Sequence, residues 1–405
     1  MSCKRFFLTF KLKKTASIAS FVLFIVAIFL VDKIPEALPN IENERLEMLQ
    51  ECARHHTKKI EVIRQQDISH LENFYRTVLQ PIGPFPLFLF SFKPSWIPWI
   101  KGQWSYAALG PIDGTYKDNS ENLLKWLNQY YHTKKPFKFF YLAQEPYLRG
   151  CQYPQDIGKK FAEVLKNCPL LISCTHPDLP WTQQCILMPD PYLLSQGTQN
   201  QLESLLNSTK LLPFSERKST FYFRGALTGP RLPFSYETMK HNPRHLLLQK
   251  VKIWPFLDYK ITSFDSLDLV IKPDYKEYIL KNYSWLKGDT VDFFEHAKHK
   301  YLLSFDGYGS AWSRVPLILA TGSVLVLNAF CHQYFYCLMV ENETYVGLNG
   351  DLSNGEKIYH DLENNPTLAE KIGAQGRKIA RLFLTKAAVD TYLWLTLKEI
   401  EKASH

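Results

Sequence analysis

Two arginine-bearing loops are the residues best suited to binding an anion. In one, Phe223-Arg224-Gly225 is followed by Thr228 and then by Arg231. In the other, Asp306-Gly307 is followed by Ser313 and Arg314. Guanidinium groups make bidentate, charge-assisted hydrogen bonds to phosphate oxygens, so two or three of them converging on one cleft suit a diphosphate. Gly225 and Gly307 would let the backbone approach such a ligand closely. A carboxylate is needed if an acceptor proton is to be removed. Glu145, in Gln144-Glu145-Pro146, offers one, and Asp156, Asp178 and Asp190 offer the same chemistry. Geometry comes before acidity in naming a base, so the sequence does not decide among the four. The bland reading of these groups is surface arginines after strands, polar loop carboxylates, and an Asp306 that caps a helix.

The elements that must position these residues can be read from the pattern around them. Tyr301 to Phe305 is a buried apolar run, Asp306 to Ser310 a polar loop, and Ala311 to Ala320 a helix with Arg314 in its first turn. Gly322 stands at the helix stop, and Ser323 to Leu327 reads as another strand. In open α/β sheets ligands bind where a strand's carboxyl end gives way to a helix N-terminus, whose free N–H groups favour anions. A second such unit starts with a strand at Thr220 to Phe223 and a helix at Pro243 to Val251, with a short strand expected at Asp268 to Ile271. Upstream, strands are expected at Leu87 to Phe92, Phe137 to Leu142, Leu170 to Cys174 and Cys185 to Met188, with helices at Asn119 to Tyr131 and Ile157 to Lys166. The alternation predicts an α/β protein with largely parallel sheets. The chain restarts near Leu211 to Lys218, which divides it into domains over 81–215 and 216–405, the latter ending in helices at Glu356 to Glu363, Thr367 to Leu384 and Lys386 to Lys402.

Residues 1–14 are basic, with Lys4, Arg5, Lys11, Lys13 and Lys14, and the following run from Thr15 to Val31 is nearly uncharged. A helix needs at least about 17 apolar residues to cross the hydrocarbon core. Residues 15–34 are therefore read as a signal-anchor helix with a cytoplasmic N-terminus, because the positive charge precedes it. A cleaved signal peptide is the rival, but no small-x-small site follows Val31. Residues 35–80 are charged and helix-forming, a membrane-proximal stem. Of eight cysteines seven lie beyond the span, an odd number that leaves at least one outside any disulfide. Asn207, Asn282 and Asn342 each open an N-glycosylation triplet. The expected location is a Golgi or ER lumen in a eukaryote, or the inner membrane in a bacterium.

Several function classes are disfavoured. The net charge of +9 is spread too thinly for nucleic acid but permits an anionic substrate. There is no Walker phosphate loop, no Gly-x-Ser-x-Gly and no Asp-x-Asp. His241 with His245, and His296 with His299, have helical spacing but lack the Glu of a zinc protease, and they read as solvated helix faces. No metal and no cofactor are expected.

The C-terminal half resembles the family-90 glycosyltransferases, which include capsule-associated proteins, lipopolysaccharide-modifying transferases and protein O-glucosyltransferases. The likeness runs from about Leu170 onward. It rests on Tyr222-Phe223-Arg224-Gly225-Ala226, on Lys300 to Gly307 with Arg314 and Gly322-Ser323, and on Asp351-Leu352-Ser353, Ala369 to Ile372 and Gly376. The resemblance implies a GT-B fold of two facing Rossmann-like domains. Residues 81–215 would hold the acceptor, and 216–405 a UDP-sugar. Arg224 and Arg314 would bind the diphosphate, with Thr228, Asp306, Gly307 and Ser313 in the donor pocket. The implied activity is metal-independent, inverting transfer of glucose or xylose to a hydroxyl of a glycan, lipopolysaccharide or protein. The alternative is an inactive family member serving as a membrane-anchored scaffold. Where relatives carry an Arg-Asp pair whose Asp is the base, Gln144-Glu145-Pro146 stands here, so Glu145 inherits that role. Where many carry a Ser two residues before the second arginine, Trp312 stands.

Overall fold

In the computed structural model the described residues are 43–58, 65–74, 76–77, 87–95, 102–109, 114–133, 135–143, 155–166, 168–177, 179–228, 241–264, 273–307 and 309–404. They form two five-stranded sheets. The first has the order β2-β1-β3-β4-β5, from β1 (Leu87–Lys93), β2 (Gln103–Ala108), β3 (Phe137–Leu142), β4 (Leu170–Ile172) and β5 (Ile186–Leu187). The second has the order β10-β9-β8-β6-β7, from β6 (Lys218–Gly225), β7 (Leu257–Ile261), β8 (His299–Phe305), β9 (Val324–Asn328) and β10 (Val346–Gly347).

Every pairing in the second sheet is parallel. The first sheet is mixed, contrary to the expectation of a largely parallel one. β1 runs antiparallel to both β2 and β3, and only β3, β4 and β5 are mutually parallel. The sequence reading passed over β2 for a physical reason. It is an edge strand in which Trp104 alone is buried, and Gln103, Ser105 and Ala107 dilute its apolar alternation. Two further strands outside the expectation, β7 and β10, are likewise edges, β7 with Asp258 and Lys260 at its outward positions and β10 only two residues long. The strand expected at 268–271 lies outside the described residues.

Strand periodicity sorts the second sheet's side chains into two cores. Tyr222, Leu302, Leu325 and Leu327 join the core that also holds the first sheet. Phe221, Phe223, Tyr301, Leu303, Phe305, Val324 and Val326 face the other way into a separate core. A central strand buried on both faces must be apolar throughout, which is why β8 and β9 read as unbroken apolar runs. The helix Arg314–Thr321 follows the same logic, being buried from Val315 to Thr321 and closed by Gly322 at φ 73°.

The last helix, Lys386–Ala403, ties the two halves together. Its Asp390 accepts a hydrogen bond from the Trp126 indole at 2.9 Å, its Glu401 accepts one from the Tyr131 hydroxyl at 2.8 Å, and its Tyr392 hydroxyl donates to the Leu187 carbonyl at 2.8 Å. In the segment read as a stem, the helix Asn43–Thr57 is part of the packed body. It buries Leu49, Cys52 and Ala53, and Arg45 donates to the Leu382 carbonyl at 2.8 Å. Cys52 is joined to Cys337 in a disulfide. Cys168, Cys174, Cys185 and Cys331 are buried. Among the described residues no helix is long and apolar enough to cross a membrane, and the anchor expected at 15–34 lies outside them.

The disulfide closes a loop of 285 residues. Non-reducing peptide mapping should recover Cys52 linked to Cys337. Cys52→Ala should lower the unfolding free energy by about 2–5 kcal/mol. A variant with the wild-type denaturant midpoint would show that packing alone holds the first helix in place.

Candidate functional site

The second sheet has a switch in strand order. From β6 the chain adds β7 on one side, then returns to lay β8, β9 and β10 on the other. Ligands in such sheets bind beyond the carboxyl ends of the strands at the switch. A cleft of about 390 Å³ opens there. Its floor comes from Ala226 and Thr228 after β6, from Gly307 after β8, and from Ser310 to Arg314 leading into the next helix.

Two arginines, Arg244 and Arg314, line this cleft. Arg244 sits in the first turn of the helix Pro243–Lys250, which Asn242 caps by accepting from the Arg244 amide at 2.8 Å. Its guanidinium donates to the Ala226 carbonyl at 2.9 Å, to the Thr228 hydroxyl, and to the Phe305 carbonyl at 2.6 Å. It thus spans the ends of β6 and β8. Arg314 opens the helix Arg314–Thr321, and its Nη2 donates to the Arg224 carbonyl at 2.6 Å. Its Nη1 is buried and has no hydrogen-bond partner. Both guanidinium carbons lie against the Phe223 ring, Arg314 at 4.8 Å and Arg244 at 5.6 Å from its centroid.

This arrangement concentrates positive charge. Carbonyl oxygens hold both guanidinium groups, and the Thr228 hydroxyl adds to the hold on Arg244. Burial first, and the neighbouring Arg244 second, push the Arg314 pKa down to about 9. An anion in the cleft would relieve both costs. The helix N-terminus at Arg314 adds its dipole, and the Ser313 hydroxyl beside it makes no capping hydrogen bond. Two glycines keep the space open. A Cβ on Gly225 would come within 2.9 Å of Arg314 Nη2, and one on Gly307 within 2.8 Å of Thr228 Oγ1.

Of the residues singled out in the sequence, Thr228, Gly307, Ser313 and Arg314 meet at the cleft, and Gly225 backs it. Arg224 does not line it. Side chains alternate along β6, so Arg224 shares a face with Tyr222, lying 4.2 Å from that ring's centroid, and turns to Asp258 at 2.6 Å. Asp306 is buried below the cleft, where Oδ2 accepts from the Phe330 and Cys331 amides at 2.8 Å each. Burial raises its pKa to about 7 against the pull of those amides and of Arg244. Asp190 is also buried; it caps the helix Pro191–Leu194 through the Tyr192 and Leu193 amides, and burial raises its pKa to about 6. Arg231, Glu145 and Asp178, and the side chain of Asp156, lie outside the described residues.

Arg244 was missed although its signal was present. It follows Asn242-Pro243, a capped helix start, and so occupies the same first-turn position as Arg314. The histidine pairs need correcting. His245, His296 and His299 are buried rather than solvated, and burial lowers their pKa values to about 3, 3 and 4. They pack as neutral rings, His299 stacked on Tyr222 with centroids 3.8 Å apart.

Comparison with known proteins finds relatives of the second half of the chain. The profile described as "Glycosyl transferase family 90" matches residues 195–403, just over half of the chain and all of the cleft's described residues except Tyr192. Protein O-glucosyltransferase 1 of Homo sapiens is 24% identical over 200 residues, covering 49% of this chain and 46% of that protein. O-glucosyltransferase rumi of Drosophila melanogaster is 24% identical over 176 residues, 43% of this chain and 38% of that one. The chain spans about half the length of the curated relatives it matches. A solved glycosyltransferase from Rickettsia africae ESF-5 aligns with 62% of this chain and 68% of its own at 11% identity, with a TM-score of 0.37, too loose a likeness to argue from.

Asp306 gives the site a testable pH dependence. In the fold it keeps its proton up to about pH 7, and in the unfolded chain only up to about pH 4. Between those values the unfolded state alone ionises, so stability falls as pH rises across the window. Asp306→Asn keeps an oxygen for the two amides and carries no charge. It should gain on the wild type by up to a few kcal/mol between about pH 4 and about pH 7. Thermal unfolding of both proteins across that window checks this, and a stability difference independent of pH would show that Asp306 is ionised throughout.

Proposed function

The chain belongs to glycosyl transferase family 90, and from that premise we propose that it transfers a sugar from a UDP-sugar to an acceptor hydroxyl, with inversion and without a metal. The observation that carries this reading is the pair Arg244 and Arg314, brought together against the Phe223 ring at the switch point of the parallel sheet, in a cleft of about 390 Å³. In the reaction the acceptor oxygen attacks the anomeric carbon from the face opposite the diphosphate. The bond from that carbon to the diphosphate oxygen breaks, and its electron pair leaves with UDP. Charge builds on the departing phosphate, and prepositioned guanidinium groups are worth most where charge develops. The two arginines thus take the part a metal ion plays elsewhere.

The two sheets, with helices layered between and around them, support a GT-B arrangement in which the second sheet holds the donor. The acceptor proton is assigned to Glu145, which follows β3 in the sequence. Glucose is the favoured sugar, with xylose next, in keeping with the names of the relatives. The acceptor is a hydroxyl on a protein or glycan. A secretory lumen, with residues 15–34 as the anchor, fits the Cys52–Cys337 disulfide and the exposure of Asn207, Asn282 and Asn342.

Equilibrium binding of UDP and release of UDP from a panel of UDP-sugars test the proposal. Arg244→Ala and Arg314→Ala should each weaken UDP binding by about tenfold or more. Arg224→Ala should stay within about threefold, because its partner is Asp258. A chain that neither binds nor turns over any donor sinks the transferase reading. Glu145→Gln should lower turnover at least about 100-fold with UDP affinity unchanged; turnover equal to the wild type removes Glu145 as the base.

A further inference from the structure

One part of the cleft is not accounted for by the diphosphate. Tyr192 and Trp312 meet at its rim with ring centroids 5.2 Å apart and planes at 68°. They come from different halves of the molecule. Tyr192 follows β5 of the first sheet, and Trp312 stands just before the helix that carries Arg314.

Packing alone does not explain either ring. Tyr192 is 52% exposed, large for an aromatic side chain that its backbone holds so firmly. Its amide is bound at 2.9 Å by Asp190, itself buried, so the ring is displayed from a fixed point. Trp312 has φ 49°, a left-handed conformation rarely taken by a bulky residue. Its carbonyl accepts from the buried Gln333 side chain at 3.3 Å, which helps hold that turn. Strain of this kind persists where the surroundings over-determine it and clusters at ligand sites.

We propose that Trp312 and Tyr192 form a stacking corner, floor and wall, for the sugar ring of the donor. The inference rests on the proposed function, in which Arg244 and Arg314 hold the diphosphate. The nucleoside side of that diphosphate belongs with the second sheet, beyond the ends of β6 and β8. The group on its other side must reach the acceptor, and so must point toward the first sheet. Among the described residues, Tyr192 is the one that the first half supplies to the cleft. A pyranose carries an apolar C–H face that stacks on an aromatic ring and an edge that a second, nearly perpendicular ring can cover. The corner therefore selects for a six-membered sugar lying flat, and it occupies the place where many relatives carry a Ser.

The test uses the full chain and two probes, UDP and UDP-glucose, with equilibrium dissociation constants measured for wild type, Tyr192→Ala, Trp312→Ala and Trp312→Phe. Both alanine variants should weaken UDP-glucose about tenfold while UDP stays within about twofold, and Trp312→Phe should keep most of the UDP-glucose affinity. Tyr192→Ala removes an exposed ring, so it reads the corner even if Trp312→Ala folds poorly. Equal losses for both probes overturn the inference by placing the rings against the nucleotide or in a structural role. Unchanged UDP-glucose affinity in Tyr192→Ala overturns it too, while leaving the transferase reading standing on its UDP binding. A wild type that binds neither probe overturns both.

Discussion

The site depends on the cost of holding two guanidinium groups against one aromatic ring. Phe223 is fully buried, stacks on Tyr259 at 5.3 Å, and carries Arg244 and Arg314 on its surface. Each cation is drawn to the ring's electron-rich face, but an interaction of this kind is worth only about 0.5–2 kcal/mol. Taking a charge out of water costs several kcal/mol per ion unless it is well paired. The deficit is met by backbone carbonyls at the strand ends, Arg224 and Ala226 after β6 and Phe305 after β8, which can be aimed only because the parallel sheet beneath them is rigid. A flexible scaffold would let the two cations separate. This one holds them together.

The rigidity is bought on both faces of the sheet. One face packs against Trp254, Phe256 and the helix Gly355–Asn364, and the other against the helices that also cover the first sheet. The last helix extends that shared core into the first half, where Trp126, Tyr131 and Leu187 meet it through hydrogen bonds. Tyr192 stands near the end of this connection. Its position against Trp312 is therefore set by packing on the far side of the molecule as well as by its own loop. Residues distant from the cleft, Asp390 among them, contribute to the seam between the halves.

Much of this was legible in the sequence, and the parts that were not have physical reasons. The central strands β3, β6, β8 and β9 and the closing helices were readable because elements buried on both faces, or amphipathic over several turns, carry strong periodicity. The edge strands β2, β7 and β10 were not, because an edge needs only every second residue apolar, tolerates Asp, Lys and Gln between, and in β10 is just two residues long. The histidine pairs misled because neither lies along one helix: His241 precedes the helix Pro243–Lys250, and His299 opens β8. Cys52 and Cys337 could not be paired at all from a chain in which 285 residues separate them.

The choice of arginine shows most clearly what spacing omits. Arg224 lies near the end of the strand that leads into the site and Arg244 follows it, and the sequence favours Arg224 because it adjoins Gly225. Within a strand, however, parity fixes direction. Arg224 must point the same way as Tyr222, away from the face that Phe223 presents, and there it meets Asp258. Arg244 is under no such constraint. In the first turn of a capped helix its side chain projects back past the helix start, toward the ends of the strands. Arg314 likewise stands in the first turn of its helix, Arg314–Thr321. The pair that lines the cleft is thus drawn from two helix N-termini rather than from a strand and a helix. The glycine beside Arg224 serves Arg314 instead, by leaving room for its guanidinium.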